Sequence, residues 1–277
     1  MKIGYLGPKN SFTFQAANEI GEEEELTAYP SIPLCIQALE QKDISFAVVP
    51  IENSLEGSVH ASVDRLFQQK EIFVVGEIVL PIRQQLLGIL GKKIRKILSH
   101  PQALAQSQKF LESTYPNVPL EAVASTTFAA EFVRNHPEQE CAAIASKKAA
   151  SQYNLDILAA DIQDNAFNQT RFWVLTTTKQ EISFPSLGKP ARNTLFITLP
   201  ANTPGALHKV LSCFAWRGID LSKIESRPLK TNLGEYFFIV DLNLDDNQQL
   251  ICNAIEEVRL LNGEVREIGS YPVKIFQ

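Results

Sequence analysis

The sequence predicts an α/β protein made of two different kinds of domain. Over the first 160 residues, short apolar strands alternate with segments of helical periodicity, and polar turns join them. After a stretch with proline and glycine at residues 180–193, the order becomes strand, helix, strand, strand, helix, strand. The first pattern is typical of parallel α/β units, and the second is typical of a ferredoxin-like βαββαβ module.

Five strand-to-helix turns define the first domain. Gly7 permits a tight turn after the first strand, and Asn10 or Ser11 is placed to cap the helix that follows. The same succession of strand, polar turn and helix recurs along the chain. The predicted strands cover residues 2–6, 45–49, 96–98, 120–124 and 141–145.

A second lobe is predicted inside the first. Residues 71–80 form a strand that leads into residues 83–89, and further α/β units follow until residues 157–160. We therefore predict that residues 81–160, approximately, are inserted into a first lobe and that a cleft separates the two. The predicted boundaries are a domain at residues 1–180, a linker at 181–193 and a second domain at 194–277.

Uncharged polar side chains occupy the turns of the first domain. In parallel sheets these turns share one edge, where ligands bind and free helix N–H groups favour anions. Ordinary helix capping also explains each residue, so the spacing leaves open whether they form a cleft for a small polyanion. The residues are Ser11, Asn53, Ser54, Gln102, Ser125 and Thr126.

The segment Asn168-Gln169-Thr170-Arg171-Phe172 opens the next apolar strand. Alternation along a strand puts Thr170 and Phe172 on one face and Arg171 on the other. Taken alone, the triplet favours an ordinary strand start that faces solvent, and a catalytic role depends on what else converges on it.

The boundaries of strands and helices in the second domain are marked by characteristic residues. A strand at residues 193–199 precedes a helix that Thr203 caps, with Pro204 as its first residue and Gly218 at its end. Strands at residues 219–226 and 235–244, a helix at 246–261 and a strand at 264–271 complete the module.

Composition excludes several classes of function. The net charge of -5 provides no basic surface for nucleic acid. The chain shows neither a secretory signal after Met1 nor an apolar run of membrane-spanning length, so we expect a cytoplasmic protein without a membrane partner. Four scattered cysteines are expected to be buried thiols, and no metal-ligand spacing or dinucleotide fingerprint is present.

Seven motifs in order resemble those of the prephenate dehydratase family, with its C-terminal ACT regulatory domain. The resemblance runs over essentially the whole chain, although His208 stands where the family often has valine, which bears on effector affinity. No chorismate mutase region precedes Met1, so a single-activity form is expected. The motifs are Gly7-Pro8 with Ser11-Phe12, Pro50-Ile51-Glu52-Asn53-Ser54, His100-Pro101-Gln102-Ala103-Leu104, Ser125-Thr126, Asn168-x-Thr170-Arg171-Phe172, Gly205-Ala206-Leu207 and Glu225-Ser226-Arg227-Pro228.

This resemblance implies conversion of prephenate to phenylpyruvate, with loss of carbon dioxide and water, and regulation by L-phenylalanine bound to the ACT domain. It also implies a catalytic domain like the type II periplasmic-binding-protein fold. No cofactor is expected, because aromatisation of the ring drives the reaction.

The resemblance also assigns roles to residues. The expected catalytic residues are Thr170, as the hydrogen-bond donor to the leaving hydroxyl, Asn53 and Gln102. Arg171 either holds the retained carboxylate or is a structural ion-pair partner. The expected substrate-binding residues are Ser11, Ser54, Ser125, Thr126, Asn168, Arg171 and Phe172. The expected effector-binding residues are Asn202, Gly205, Ala206, Leu207, Leu221, Glu225, Ser226 and Arg227.

Two alternatives stay open at this point. The substrate is either prephenate or arogenate, since the sequence does not show whether the pocket accepts a keto group or an ammonium. A non-catalytic amino-acid sensor would use the same two-lobed cleft. Paired ACT domains predict a homodimer or a homotetramer.

Overall fold

The computed structural model describes residues 1–178, 184–199, 204–230, 235–244 and 248–276. The chain divides into two compact units. Unit 1 comprises Met1–Arg65, Ile78–Phe172 and Ile275–Gln277, and unit 2 comprises Leu66–Glu77 and Trp173–Lys274.

Strands and helices alternate over much of residues 1–160, as predicted, but the strands at residues 26–29 and 57–58 and the helix at 32–40 were not predicted. The strands are β1 (Ile3–Leu6), β2 (Leu26–Tyr29), β3 (Phe46–Asn53), β4 (Gly57–Ser58), β5 (Phe73–Pro81), β6 (Gln85–Gly88), β7 (Lys96–Ser99), β8 (Leu120–Ala122), β9 (Cys141–Ala145), β10 (Asp156–Ala159), β11 (Gln169–Thr176), β12 (Pro190–Thr198), β13 (Leu221–Pro228), β14 (Tyr236–Asn243) and β15 (Glu264–Ile275). The helices are α1 (Phe12–Ala17), α2 (Ile32–Glu40), α3 (His60–Gln68), α4 (Pro101–Ala105), α5 (Gln108–Thr114), α6 (Thr126–Asn135), α7 (Lys147–Gln152), α8 (Ala206–Ala215) and α9 (Gln248–Leu260).

The first sheet of unit 1 has the order β11-β3-β1-β2, and β4 pairs with β3. β1 runs parallel to β2 and to β3, and α1 and α2 both contact β1 and β3. The prediction that the strand ends at residue 49 is wrong, because β3 continues to Asn53. Pairing of Glu52 with Ser58 and of Asn53 with Gly57 in the β3–β4 hairpin extends the strand into its polar residues.

The second sheet of unit 1 lies in the chain between β5 and β11 and has the order β10-β6-β9-β7-β8. β7 is parallel to β8 and β9, as predicted, whereas β6 is antiparallel to both β9 and β10. No helix stands between β5 and β6 or between β6 and β7 in the described chain, so the strand–helix alternation that predicts parallel neighbours is interrupted at β6. The sheets are therefore mixed instead of uniformly parallel.

Unit 2 holds the strand order β13-β14-β12-β15-β5, with antiparallel pairing between β12 and β14, β12 and β15, and β13 and β14. Helices α8 and α9 pack on one face of this sheet through Leu195, Ile197, Val210, Phe214 and Val240. The element order from β12 to β15 is the predicted βαββαβ.

Two predicted boundaries in the C-terminal part differ from the structure. Helix α8 begins at Ala206, and Gly205, with φ +79°, is its N-cap residue, so Pro204 precedes the helix. The predicted cap Thr203 lies outside the described residues. Strand β12 starts at Pro190, within the segment predicted as linker.

Among the residues that the structure describes, no helix combines the length and hydrophobicity needed to cross a membrane.

Candidate active site

The end of β3 and the start of β11 lie side by side in unit 1. The backbone N–H of Ser54 donates to the carbonyl of Gln169 at 2.9 Å. The N–H of Gln169 donates to the Ser54 hydroxyl at 3.0 Å, and that hydroxyl donates to the Phe167 carbonyl at 3.3 Å. These bonds bring Asn53 next to Asn168 and Thr170.

Asn53 is the centre of a buried hydrogen-bond cluster. Its Nδ2 donates to Asn168 Oδ1 and to Thr170 Oγ1, both at 2.9 Å. Its Oδ1 accepts the backbone N–H groups of Leu55 at 3.0 Å and Glu56 at 3.3 Å. Because two backbone donors occupy the oxygen, the amide is fixed with its NH₂ group toward Thr170.

Thr170 is 9% exposed, and its hydroxyl accepts the hydrogen bond from Asn53. A threonine hydroxyl has one hydrogen to donate in addition to its acceptor sites. No acceptor for that hydrogen is found within the described part of the chain. The arrangement therefore leaves the Thr170 proton available to a ligand.

Gln106 belongs to the same cluster, although the sequence patterns did not single it out. Its Oε1 accepts from Asn168 Nδ2 at 2.9 Å, and its Nε2 donates to Glu56 Oε1 at 3.5 Å. Since the Glu56 backbone bonds Asn53, the four residues close a ring of polar groups. Gln106 is the C-cap residue of α4, four residues after Gln102. Residues four apart lie on the same face of a helix, so this spacing from the predicted site residue Gln102 was the only sequence feature that could have indicated Gln106.

Arg171 forms an ion pair with Glu52, with Nη1 2.6 Å from Oε2. The two side chains are 16% and 26% exposed. Glu52 and Asn53 are neighbours on β3, as are Thr170 and Arg171 on β11, so the strand alternation predicted for this segment agrees with both pairings. The ion pair is the structural alternative that the sequence left open for Arg171.

Other predicted site residues serve the fold locally. The Ser11 and Ser125 hydroxyls cap α1 and α6 by accepting from Phe14 N at 3.2 Å and Phe128 N at 3.0 Å. Phe172 is 1% exposed in the core.

Gln102 and Thr126 lie in the first turns of α4 and α6. The backbone N–H of Gln102 donates to His100 Nδ1 at 3.3 Å. The structure thus brings together Asn53, Ser54, Asn168 and Thr170, and it shows no bond from Ser11, Gln102, Ser125 or Thr126 to them among the described residues.

A cavity in unit 1 has a cationic lining. Arg83, Lys147 and Lys148 border it together with Asp161, which lies 3.5 Å from Arg83 in an ion pair. Ile82, next to Arg83, donates its backbone N–H to the Asn168 carbonyl at 2.8 Å, so the cavity adjoins the chain that carries the cluster. Cationic side chains in excess over acids favour a ligand with carboxylates.

Unit 2 contains a separate cavity at the start of α8. Its described lining consists of Leu199, Pro204, Gly205, Ala206, Leu207, His208 and Phe238. Three predicted effector residues therefore line one cavity, at the N-terminal end of α8.

Four other predicted effector residues lie outside the described lining of this cavity. Leu221 packs against the helices, and Glu225 is 3.3 Å from Lys223 in an ion pair. Ser226 and Arg227 follow on β13, and none of the four is in the described lining of the cavity. Asn202 lies outside the described residues.

The cysteines are free, and Cys35, Cys141 and Cys213 are buried as predicted. The prediction is wrong for Cys252, which is exposed on α9. Burial raises the pKa of the Cys35 thiol to about 12. The described residues contain no group of His, Cys, Asp and Glu with the geometry of a metal site.

Fold and cluster together define a class of protein: an α/β protein with a buried centre of amide and hydroxyl groups where two strands of its first sheet meet. The family model for prephenate dehydratase matches residues 3–180. The chain belongs to the prephenate dehydratase family.

Relatives match over the whole chain. Prephenate dehydratase of Lactococcus lactis subsp. lactis (strain IL1403) is 50% identical, over 99% of this chain and 98% of the relative. Prephenate dehydratase of Bacillus subtilis (strain 168) is 44% identical, over 98% of each chain. Arogenate dehydratase 1 of Petunia hybrida is 35% identical, over 99% of this chain and 67% of the relative.

Two solved structures have a similar fold. Prephenate dehydratase from Arthrobacter aurescens, in complex with L-Phe, gives a TM-score of 0.85 at 28% identity, over 98% of this chain and 90% of that chain. Prephenate dehydratase from Staphylococcus aureus subsp. aureus Mu50 gives a TM-score of 0.84 at 32% identity, over 98% and 100%.

Proposed function

We propose that the chain is a hydro-lyase that converts prephenate to phenylpyruvate in phenylalanine biosynthesis. Membership of the prephenate dehydratase family supports this reaction. The observation that carries the proposal is the bond from Asn53 to Thr170, which leaves a threonine proton for the substrate.

The reaction balances without an external oxidant or reductant. The bond between the ring and its carboxylate breaks, and carbon dioxide leaves. Its electron pair enters the ring and completes the aromatic system while the bond from the opposite ring carbon to its hydroxyl breaks. The departing hydroxide takes one proton and leaves as water.

Thr170 is the proposed donor to that hydroxyl. Its hydrogen bond strengthens as negative charge develops on the leaving oxygen, so it stabilises the transition state more than the bound substrate. A threonine hydroxyl is a weak acid, so it acts by hydrogen bonding or by relaying a proton. Asn53 is the proposed orienting group, because its NH₂ occupies the acceptor side of Thr170.

The carboxylate that leaves should not be held by a cation, because tight binding in the ground state would slow its loss. Neutral donors suit that position, and Asn53, Ser54, Gln102, Ser125 and Thr126 are all neutral. Ser11, Asn168 and Phe172 are proposed to line the same pocket. The retained carboxylate requires a cationic partner. This partner is Arg171, if the substrate carboxylate replaces Glu52 in its ion pair, or a lysine of the cationic cavity.

The proposed architecture consists of a catalytic domain at residues 1–180, a linker at 181–193 and an ACT domain at 194–277. The proposed catalytic domain resembles the two-lobed type II periplasmic-binding proteins, and its second sheet, which lies in the chain between β5 and β11, supports this proposal. We infer a cytoplasmic homodimer or homotetramer.

L-Phenylalanine is the proposed effector. The relative from Arthrobacter aurescens was solved in complex with L-Phe. In this chain Gly205, Ala206 and Leu207 line the cavity at the start of α8, and backbone N–H groups at a helix start favour a carboxylate. Asn202, Leu221, Glu225, Ser226 and Arg227 are proposed to complete the site, with β13 supplied by a second copy of the chain.

Arogenate is a second candidate substrate, because the Petunia hybrida relative is an arogenate dehydratase. The test is a direct assay of the purified chain with prephenate and, separately, with arogenate. Phenylpyruvate from prephenate at a specificity at least about tenfold above that for arogenate is expected. Turnover of arogenate alone would change the substrate, and a folded chain inert toward both would overturn the proposal in favour of an amino-acid sensor.

A further inference from the structure

Phe67, near the C-terminal end of α3, contacts three side chains of unit 2, and we call the four residues the α3 clamp: Phe67, Phe196, Phe237 and Arg266. The rings of Phe67 and Phe237 are stacked, with centroids 3.7 Å apart and planes 15° apart. Phe196 lies 5.8 Å from Phe67 and 5.6 Å from Phe237. The guanidinium carbon of Arg266 is 5.0 Å from the Phe196 centroid and 5.8 Å from that of Phe67.

Arg266 also bonds the backbone at the helix end. Its Nη2 donates to the carbonyl of Leu66 at 2.5 Å, and its Nη1 donates to the carbonyls of Phe67 at 3.1 Å and Gln69 at 3.3 Å. The last carbonyls of a helix have no partner within it and carry partial negative charge. A guanidinium that is both bonded to them and packed on aromatic faces fixes the helix end against the sheet.

The α3 clamp and the cavity at the start of α8 involve neighbouring residues of β14. Phe238 lines that cavity, and Phe237, the preceding residue of β14, is the stacking partner of Phe67. Successive side chains of a strand point to opposite faces of the sheet. A ligand that presses on Phe238 therefore acts on the strand that holds Phe237.

The other end of α3 is attached to the strand that carries Asn53. The Ser62 hydroxyl donates to the Pro50 carbonyl at 2.6 Å, and the N–H of Val59 donates to the carbonyl of Ile51 at 2.8 Å. Pro50 and Ile51 belong to β3, which ends at Asn53. Helix α3 begins in unit 1, and its last residues, from Leu66, lie in unit 2.

We propose that α3 transmits effector binding to the catalytic cluster and that Phe67 is the positioning residue of this regulation. The inference rests on the proposed function, because it requires both turnover and an effector. A ligand that binds one arrangement of β14 better than another shifts the balance between them. The stacked rings and the carbonyl bonds of Arg266 carry that shift to α3, and the Ser62 and Val59 bonds carry it to β3 and Asn53.

The test separates effector binding from effector response. Phe67→Leu removes the stacked ring, and Phe132→Leu is the matched control, because Phe132 is a half-buried helical phenylalanine of α6 in unit 1. For each protein, calorimetry gives the Kd for L-phenylalanine, and initial rates give kcat and KM for prephenate with and without saturating L-phenylalanine. Phe67→Leu is expected to bind L-phenylalanine within about threefold of wild type, while the effector-induced change in kcat/KM falls at least about fivefold.

Arg266→Lys is the second variant, because it keeps the charge and loses the planar group that spans three carbonyls. It should show the same uncoupling and covers the case in which Phe67→Leu fails to fold. A wild-type response in both folded variants would overturn the proposal, and so would loss of L-phenylalanine binding itself. A wild-type enzyme that dehydrates prephenate but ignores L-phenylalanine would refute the effector and this inference together, whereas absent turnover would refute the proposed reaction.

Discussion

Asn53 holds three parts of the chain with one amide. Its oxygen bonds the turn that follows β3, and its nitrogen bonds Asn168 and Thr170, which are 115 and 117 residues away in sequence. A flipped amide would place its oxygen against Asn168 Oδ1 and the Gln169 carbonyl, which only accept, and its NH₂ against two backbone N–H donors. Buried polar groups left without partners are costly. The direction of the hydrogen bond at Thr170 is thus set by backbone groups of the β3–β4 turn.

Gln106 is expected to support this cluster at a distance from the reaction. Gln106→Leu removes the acceptor for Asn168 Nδ2 and should lower kcat about tenfold, which is the effect of one hydrogen bond of about 1.4 kcal/mol. Gln106→Glu retains an acceptor for Asn168 and loses only the long, exposed bond to Glu56, with some carboxylate repulsion there, so it should keep clearly more activity than Gln106→Leu. Steady-state rates with prephenate measure both, and a Gln106→Leu enzyme as active as Gln106→Glu would exclude the role.

The ion pair of Glu52 and Arg171 is expected to stabilise the fold. Because the pair is partly buried, Glu52→Gln and Arg171→Met should each lower the free energy of unfolding by about 1–3 kcal/mol, and the double variant should lose less than the sum of the two single losses. Chemical denaturation of the four proteins measures this coupling. A KM for prephenate that rises more than tenfold in Arg171→Met but not in Glu52→Gln would instead show that Arg171 holds the substrate.

Residue patterns predicted part of this site. Strand alternation correctly separated Thr170 from Arg171, since that information is local. The contact between Asn53 and Thr170 joins distant segments, and the family resemblance indicated only that both residues belong to the catalytic site. Gln106 carried no pattern beyond its helical spacing from Gln102, and its role became visible only when Asn168 was placed beside it.

At the scale of elements, the apolar and polar pattern located most strands and helices but misplaced several ends. β3 runs four residues beyond the predicted end of the strand. These residues have a composition typical of turns, but pairing with β4 gives backbone hydrogen-bond partners to Glu52 and Asn53 and keeps them in the strand. α8 starts after Pro204 because Gly205 adopts a left-handed conformation that ends the preceding turn. Such choices depend on tertiary pairing, which a local pattern does not contain.

Two glycines of unit 2 should respond differently to alanine. At Gly269 a Cβ would meet the backbone carbonyl of Val74, which cannot rotate away, so Gly269→Ala should cost several times more stability than Gly205→Ala. Gly205 has open space around it and φ +79°, so its substitution should cost about 1–2 kcal/mol through backbone strain. Thermal unfolding of both variants measures the order, and a Gly269→Ala protein as stable as wild type would contradict the close approach of β15 and β5.

The two compact units of the structure do not coincide with the two predicted domains, which cover residues 1–180 and 194–277. Unit 2 includes Leu66–Glu77, far from the C-terminal domain in sequence, because β5 completes the sheet beside β15 and the end of α3 packs on Phe237. Composition and the order of elements predicted two kinds of domain. They could not predict that a segment near residue 70 packs with the C-terminal module, since nothing in its own pattern marks the partner.

A fragment of residues 178–277 tests this division. It lacks β5 and Phe67, so the β15 edge and the Phe196 and Phe237 rings would be exposed. We expect the fragment to aggregate or to unfold without a cooperative transition, as measured by size-exclusion chromatography and circular dichroism. A fragment that is monodisperse and unfolds cooperatively would support the boundary at residue 194 instead.

In the proposed mechanism, Thr170, oriented by Asn53, donates to the leaving hydroxyl of prephenate. The most direct measurement is kcat for phenylpyruvate formation by Thr170→Val beside Thr170→Ser, with thermal unfolding as the control for folding. Valine preserves the shape and removes the proton, so kcat should fall at least about 100-fold, while serine keeps the hydroxyl and should stay within about tenfold of wild type. A folded Thr170→Val enzyme with more than about a tenth of the wild-type kcat would contradict the mechanism, because the Thr170 hydroxyl would then not be needed as the donor.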